Sequence, residues 1–174
     1  MARSKKNKIT PFEEPILITR PLLPSLDAYH KDLQEIWDLN YVTNNGPKLQ
    51  ALEKKLAEYL DVPNVLLFTN GTIAHMTALY SMGLKGEIIT TPFTFPATNT
   101  VLGWLGGDLR PVFCDIDPET MCIDANKIEA LITPDTCAIM GVHLYGIPCH
   151  VQKIREIADQ HGLKVVYDAA HSFM

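Results

Sequence analysis

The apolar residues of this chain follow two different patterns. Up to Leu60 they recur at helical spacing, first in residues 26–37 and again in residues 49–60, with the turn cluster 43–47 between the two stretches. Ser25 or Asp27 is placed to cap the first helix, and an amphipathic stripe marks the second. The sequence therefore predicts two helices before any strand.

After Leu60 short apolar runs alternate with helical stretches. The runs predict five strands, at residues 65–68, 87–90, 110–113, 137–140 and 163–167. The intervening stretches predict helices at 72–83, after Pro96, in a short segment near 124–131, and at 150–160. Strands that are apolar on both faces and alternate with helices indicate an α/β fold, with a mostly parallel sheet and helices on both faces.

Length and charge limit the class of protein. A chain of 174 residues fits one domain, which we expect to be residues 21–174, after a flexible N-terminal arm at residues 1–20. A net charge of −5 argues against a nucleic-acid partner, because sequence-independent binding needs a basic face. No apolar run approaches the roughly 20 residues that span a bilayer, so we expect no membrane partner and a cytoplasmic protein.

The four cysteines predict no metal site. They form no CxxC pair and lack zinc-like spacing, which favours buried thiols in a reducing compartment. A metal corner at His143, Cys149 and His150 is the weaker alternative, because no second ligand cluster accompanies it.

In open α/β sheets ligands bind beyond the carboxyl ends of the strands, so the residues there are the candidates for chemistry. The turn at Gly71 and Thr72 opens a helix, where free N–H groups and a hydroxyl suit a phosphate. A plain helix cap explains the same turn, and both interpretations stay open.

Asp168 follows an apolar strand and should be partly desolvated. No basic residue adjoins it in sequence, so a cationic ligand is a reasonable partner, although an Asp that caps the next turn fits equally. The flat face of Phe95 suits a planar ring, but a core aromatic has the same composition. His171 is placed to contact a ring substituent, or has a structural role.

Six segments in this order resemble the DegT/DnrJ/StrS family of sugar-nucleotide aminotransferases, which depend on pyridoxal 5′-phosphate (PLP). The segments are residues 43–47, 70–72 with Ala74, 91–98, 111–117, 143–146 and 167–173. The resemblance implies part of the large domain of a fold-type I PLP enzyme. It also implies a homodimer, a nucleotide-linked keto-deoxysugar as acceptor, and an amino acid donor, by analogy glutamate.

The resemblance also assigns roles to residues. It implies that Thr72 and the N–H of Ile73 hold the cofactor phosphate beside Gly71, and that Phe95 stacks on the ring. Asp168 pairs with the ring nitrogen, where a carboxylate keeps that nitrogen protonated. The remaining candidates are His171 at the ring hydroxyl, and Asn45 and Tyr145 on the substrate side.

The family's covalent lysine lies beyond the segment 167–173, so no catalytic lysine is assigned. We therefore expect a truncated chain that is inactive alone. Met174 in place of the usual Gly and His150 in place of a common Asp are the other departures. The alternatives are a non-catalytic relative that binds PLP weakly or pairs with a full-length subunit, and a relative with dehydratase chemistry.

Overall fold

Four short parallel strands form one sheet in the computed structural model, which describes residues 12–17 and 20–173. They are β1 (Gly86–Thr90), β2 (Leu109–Phe113), β3 (Thr136–Val142) and β4 (Lys164–Asp168), in the spatial order β2-β1-β3-β4. All three pairings are parallel, which confirms the α/β fold. Most of the expected arm at residues 1–20 lies outside the described residues.

Five α-helices accompany the strands. They are α1 (Leu26–Leu39), α2 (Pro47–Leu60), α3 (Gly71–Ser81), α4 (Pro96–Trp104) and α5 (Val151–His161). Local sequence features explain where these helices begin. The Ser25 hydroxyl accepts the Ala28 N–H at the start of α1. Prolines occupy the first position of α2 and α4, where the N–H that proline lacks would have no partner within the helix. None of the helices in the part of the chain that the structure describes is long and apolar enough to cross a membrane.

The core lies on both faces of the sheet, as the sequence predicts. Successive strand residues point to opposite faces, so Ile88 packs with α3 and α4 while Ile89 packs with α5. In β3, Ala138 and Met140 pack on the same face as α3 and α4, and Ile139 packs on the face of α5. In contrast, α1 and α2 contain no buried residue.

The strand predicted at residues 65–68 is wrong, because these residues do not join the sheet. The Leu67 N–H donates to the Glu53 carboxylate on α2 at 2.8 Å instead of to a neighbouring strand. Leu66 is 73% exposed. An apolar run has strand composition, but it becomes a strand only where a partner strand meets it.

The short helix predicted near 124–131 is also wrong in extent. Only a three-residue 3₁₀ turn, Glu129–Leu131, forms there. The Asp124 carboxylate accepts the Asn126 N–H at 3.0 Å, which closes a tight turn just before it. Such a side-chain bond competes with the helical hydrogen-bond pattern.

The chain changes direction across the sheet between β1 and β3. From β1 the chain passes to β2, on one side of β1. From β2 it crosses back over β1 to β3, and from β3 it continues to β4 on the other side. The loops that leave β1 and β3 therefore diverge and open a crevice at the carboxyl edge, where ligands bind in open α/β sheets.

Candidate functional site

A cavity of about 300 Å³ occupies this crevice. It lies between the loop after β1, the 3₁₀ turn Leu144–Gly146 after β3, and the segment that follows β4. Its lining residues are Pro92, Phe93, Thr94, Phe95, Pro96, Leu144, Tyr145 and His171. Three of the candidates from the sequence, Phe95, Tyr145 and His171, thus line one cavity.

Asp168, the last residue of β4, is buried and firmly held. Its Oδ2 accepts a hydrogen bond from the Thr98 hydroxyl at 2.7 Å, and its Oδ1 accepts the Ala170 N–H at 3.0 Å. Its side chain is 8% exposed. The carboxylate therefore caps the following turn, as one interpretation of the sequence required, and still presents a desolvated negative charge at the carboxyl edge.

Two helices bring the remaining candidates to Asp168. On α3, Nδ1 of His75 lies 3.9 Å from Oδ2 of Asp168, and Thr72 precedes His75 by three residues. On α4, Thr98 contacts the same oxygen, and Phe95 precedes Thr98 by three residues. Residues three apart share one face of a helix at a separation of about 5–6 Å. Thr72, Phe95 and Asp168 therefore lie at the same edge of the sheet.

The first turn of α3 offers donors to an anion. Asn70 caps this helix, and its side-chain oxygen accepts the Ile73 N–H at 3.0 Å. A Cβ added at Gly71 would meet nothing within 4 Å, so open space lies beside the turn. The N–H groups of Gly71 and Thr72 have no acceptor among the described residues, as is usual for the first positions of a helix. Because Asn70 already engages Ile73, the role of Ile73 toward a phosphate stays a prediction.

The structure places Phe95 at the surface rather than in the core. It stands immediately before α4, and its side chain is 70% exposed. A flat apolar side chain that is open beside a buried carboxylate fits a planar ring better than it fits a packing role.

Tyr145 and His171 interact directly. Their rings are parallel, with centroids 5.9 Å apart, and the Tyr145 N–H donates to Nδ1 of His171 at 3.2 Å. Tyr145 has the left-handed φ of 54°, which the sequence gave no reason to expect. The pair fixes one wall of the cavity.

Asn45 lies apart from this cavity. It has a left-handed φ of 55° in the turn before α2, and its carbonyl accepts from the Gln50 side chain at 2.9 Å. It lines another cavity, formed by residues between Glu35 and Ala51, which shares no lining residue with the first. The described residues therefore do not unite Asn45 with Tyr145.

Behind Asp168, His143 is a structural neighbour of the site. Its Nδ1 accepts the Cys149 N–H at 3.1 Å, and its ring stacks on Tyr167 at 4.7 Å. Burial lowers the pKa of His143, and the negative charge of Asp168 opposes this only in part. The Nδ1 atom of His143 is thus already engaged, and the described residues contain no cluster of three or more side chains that could hold a metal ion.

The four thiols are free, and those of Cys114, Cys122 and Cys149 are buried. Burial raises the pKa of Cys149 to about 12 and that of Cys114 to about 11. These thiols stay protonated and act as small apolar groups, as the sequence analysis expects.

Sequence reasoning missed His75 and Thr98, whose polar atoms lie 3.9 Å and 2.7 Å from Oδ2 of Asp168. Both lie inside helices rather than in the turns that directly follow strands. The sequence did contain a sign of both residues. Each is polar in a largely apolar helix, and each follows a candidate by three positions: His75 follows Thr72, and Thr98 follows Phe95. Their convergence depends on how α3 and α4 pack, which the sequence pattern does not contain.

Comparison with known proteins agrees with this geometry. The profile of the DegT/DnrJ/EryC1/StrS aminotransferase family matches residues 27–174. The chain belongs to this family. Aminotransferases of the DegT family are PLP-dependent.

Relatives with assigned names include two transaminases. The chain is 49% identical over 161 residues to the dTDP-4-amino-4,6-dideoxy-D-glucose transaminase of Escherichia coli, covering 92% of this chain and 43% of the relative. It is 53% identical over 162 residues to the protein of the same name from Shigella dysenteriae, covering 93% and 44%. The chain thus spans less than half the length of these relatives.

Solved structures of DegT-type proteins superpose well. DesI in the presence of its TDP-sugar product gives a TM-score of 0.85 at 37% identity, over 92% of this chain and 41% of DesI. NtdA from Bacillus subtilis with the bound cofactor PMP, pyridoxamine phosphate, gives 0.79 at 35% identity, over 93% and 39%. At these identities the likeness extends beyond the fold to the family.

Proposed function

We propose that this chain supplies the cofactor-binding sheet edge of a PLP-dependent aminotransferase that acts on a nucleotide-linked keto-sugar. One observation carries the proposal: contacts from α3 and from α4 converge on Oδ2 of the buried Asp168. This convergence supports a site in which the first turn of α3, the exposed Phe95 ring and the Asp168 carboxylate would contact one flat, phosphorylated cation.

The residues present fit the cofactor. Gly71 leaves open space, and the N–H groups of Gly71 and Thr72 with the Thr72 hydroxyl are the donors that a phosphate needs. Asp168 is buried, and the donors that hydrogen-bond to its carboxylate are neutral, so a protonated ring nitrogen would be its charged partner. Phe95 would cover the ring face, and His171 would reach a ring substituent.

When bound, PLP supplies an electron sink that allows an amino group to be removed from one substrate and added to another. This chain's residues would bind and orient that group. Thr98 and the Ala170 N–H fix the Asp168 carboxylate, and the stacked Tyr145 and His171 hold one wall of the cavity. Fixed groups hold a ring plane without reorganisation, which is how positioning lowers a barrier.

The substrates and the assembly are inferred from relatives. The acceptor class follows from transaminases named for dTDP-amino sugars, and we include glutamate as donor, a homodimer and a cytoplasmic location in the proposal. Free, buried thiols support a reducing compartment. Tyr145 is exposed at the rim of the cavity and is the candidate for substrate contact. Asn45 lines a separate cavity, so it would contact the substrate only if another part of the assembly brought the two together.

The test is a titration of the purified chain with pyridoxamine phosphate, followed by cofactor fluorescence. We expect saturable binding that Asp168→Asn weakens at least about tenfold, because the charge pairing is lost. The matched control is Asp135→Asn, a carboxylate that pairs with Arg110 at 2.6 Å on the opposite edge of the sheet. Equal affinity for the wild type and Asp168→Asn would overturn the proposal.

A further inference from the structure

His75 is a partly buried imidazole to which the family resemblance assigns no role. It lies on α3 one turn after Thr72, and its side chain is 15% exposed. Its Nδ1 lies 3.9 Å from Oδ2 of Asp168. Among the described residues it is the one basic side chain with a nitrogen within 4 Å of this carboxylate.

The contact lies where little water reaches, because Asp168 is buried and the His75 side chain is 15% exposed. The hydrogen bonds to Asp168 come from neutral donors, the Thr98 hydroxyl and the Ala170 N–H. A separation of 3.9 Å is too long for a hydrogen bond, so the contact between His75 and Asp168 is an electrostatic one. Anything that fixes or loosens His75 therefore acts on the carboxylate.

A second imidazole also faces Asp168, but on the side of the strands. His143 senses the negative charge of Asp168, yet burial lowers its pKa and its Nδ1 is occupied by the Cys149 N–H. Its ring stacks on Tyr167. His75 is therefore the ionisable neighbour on the side of the phosphate-binding turn.

We propose that His75 is a positioning residue for the cofactor-binding carboxylate. Its Nδ1–H faces Oδ2 of Asp168 and, with the Thr98 hydroxyl, holds the carboxylate in the one orientation that pairs with the ring nitrogen. The link from Asp168 to the ring rests on the proposed function. The link from His75 to Asp168 does not.

The first test uses two substitutions at this position. His75→Leu removes the polar group, whereas His75→Asn places an amide nitrogen close to the position of Nδ1. In the pyridoxamine phosphate titration we expect His75→Leu to weaken binding about tenfold and His75→Asn to stay within about threefold of the wild type. Wild-type affinity in His75→Leu overturns the proposal, and so does an equal loss in both variants.

The second test needs no cofactor and no substitution at His75. Imidazole nitrogen chemical shifts report which ring nitrogen carries the proton, and a partner at one nitrogen sets that choice. We expect Asp168→Asn to move the nitrogen signals of His75 and to leave those of His161 unchanged. Glu129→Gln is the matched control, because Glu129 lies 3.1 Å from Nε2 of His161 at the opposite edge of the sheet, and it should do the reverse.

The two tests separate the two proposals. If the wild type fails to bind pyridoxamine phosphate while Asp168→Asn still shifts the His75 signals, the proposed function fails and the contact between His75 and Asp168 stands. If Asp168→Asn leaves the His75 signals unchanged, the positioning role is wrong, whatever the chain binds.

Discussion

The Thr98 hydroxyl donates a hydrogen bond of 2.7 Å to Oδ2 of Asp168 and so joins α4 to the end of β4 across 70 residues of sequence. Thr98 also lies 3.0 Å from the hydroxyl of Thr94, in the loop that lines the cavity. Both Thr98 and Asp168 are nearly inaccessible to water. The cavity wall and the buried charge are thus parts of one hydrogen-bonded unit.

We expect Thr98→Val to destabilise the fold by about 1–3 kcal/mol, because a buried carboxylate oxygen loses its donor. Thr98→Ser keeps the hydroxyl and should recover most of this loss. Urea unfolding measures both free energies. A matched control is Thr100→Val, whose exposed hydroxyl bonds only to the Ala97 carbonyl within the same helix.

Gly86 begins β1 with a φ of +112°, and a Cβ there would lie 2.2 Å from the carbonyl oxygen of Asp135. We expect Gly86→Ala to cost about 3 kcal/mol of unfolding free energy, since backbone strain and steric overlap add. Gly103→Ala is the comparison, because its Cβ would meet nothing within 4 Å inside α4. Thermal unfolding followed by circular dichroism tests the difference, and similar losses in both variants would contradict the expectation.

His171 accepts the N–H of Tyr145, a residue held at a positive φ. We expect His171→Ala to release this strained turn, because both the acceptor and the stacked ring are lost. Hydrogen exchange at the Tyr145 amide should then accelerate at least about tenfold, while amides in β3 stay protected. Unchanged exchange at Tyr145 would show that the turn does not depend on His171.

Burial lowers the pKa of His143 in the folded chain, so the unfolded chain takes up this proton first as the pH falls. Stability should therefore decrease as the pH drops through about 6.5, the ordinary value for histidine in an unfolded chain. His143→Asn keeps an acceptor for the Cys149 N–H and does not titrate, so we expect a smaller loss between pH 7.5 and 5.5. Urea unfolding at the two pH values gives the slopes, and equal slopes would exclude His143 as the source.

The sequence predicts most of this fold for a physical reason. Strands β1 and β3 are largely buried and have apolar sequences, and helices α1 and α4 have clear start signals at Ser25 and Pro96. The run at 65–68 has the same composition, yet strand formation depends on a partner that no local pattern reveals. The sequence therefore predicts the fold class, but it does not predict whether residues 65–68 join the sheet.

The candidate site shows the same difference between what a local pattern predicts and what tertiary packing decides. Residues just after strands, such as Asp168 and His171, were predictable because parallel strands end at one edge. His75 and Thr98 were not, because a residue inside a helix reaches a site only through tertiary packing. The hydrogen bond from the Ile73 N–H to the Asn70 side chain likewise depends on the backbone conformation of that turn, which the sequence does not give.

The absence of any buried residue in α1 and α2 sets the order in which the molecule comes apart. Both core clusters are made of residues between Leu79 and Ala158, so the sheet and its three packed helices form the resistant unit. An exposed bridge from Lys48 to Asp32 and Glu35 ties the first two helices together, and salt weakens such bridges. Proteases should therefore trim α1 and α2 first and leave a remnant that begins near Asn70.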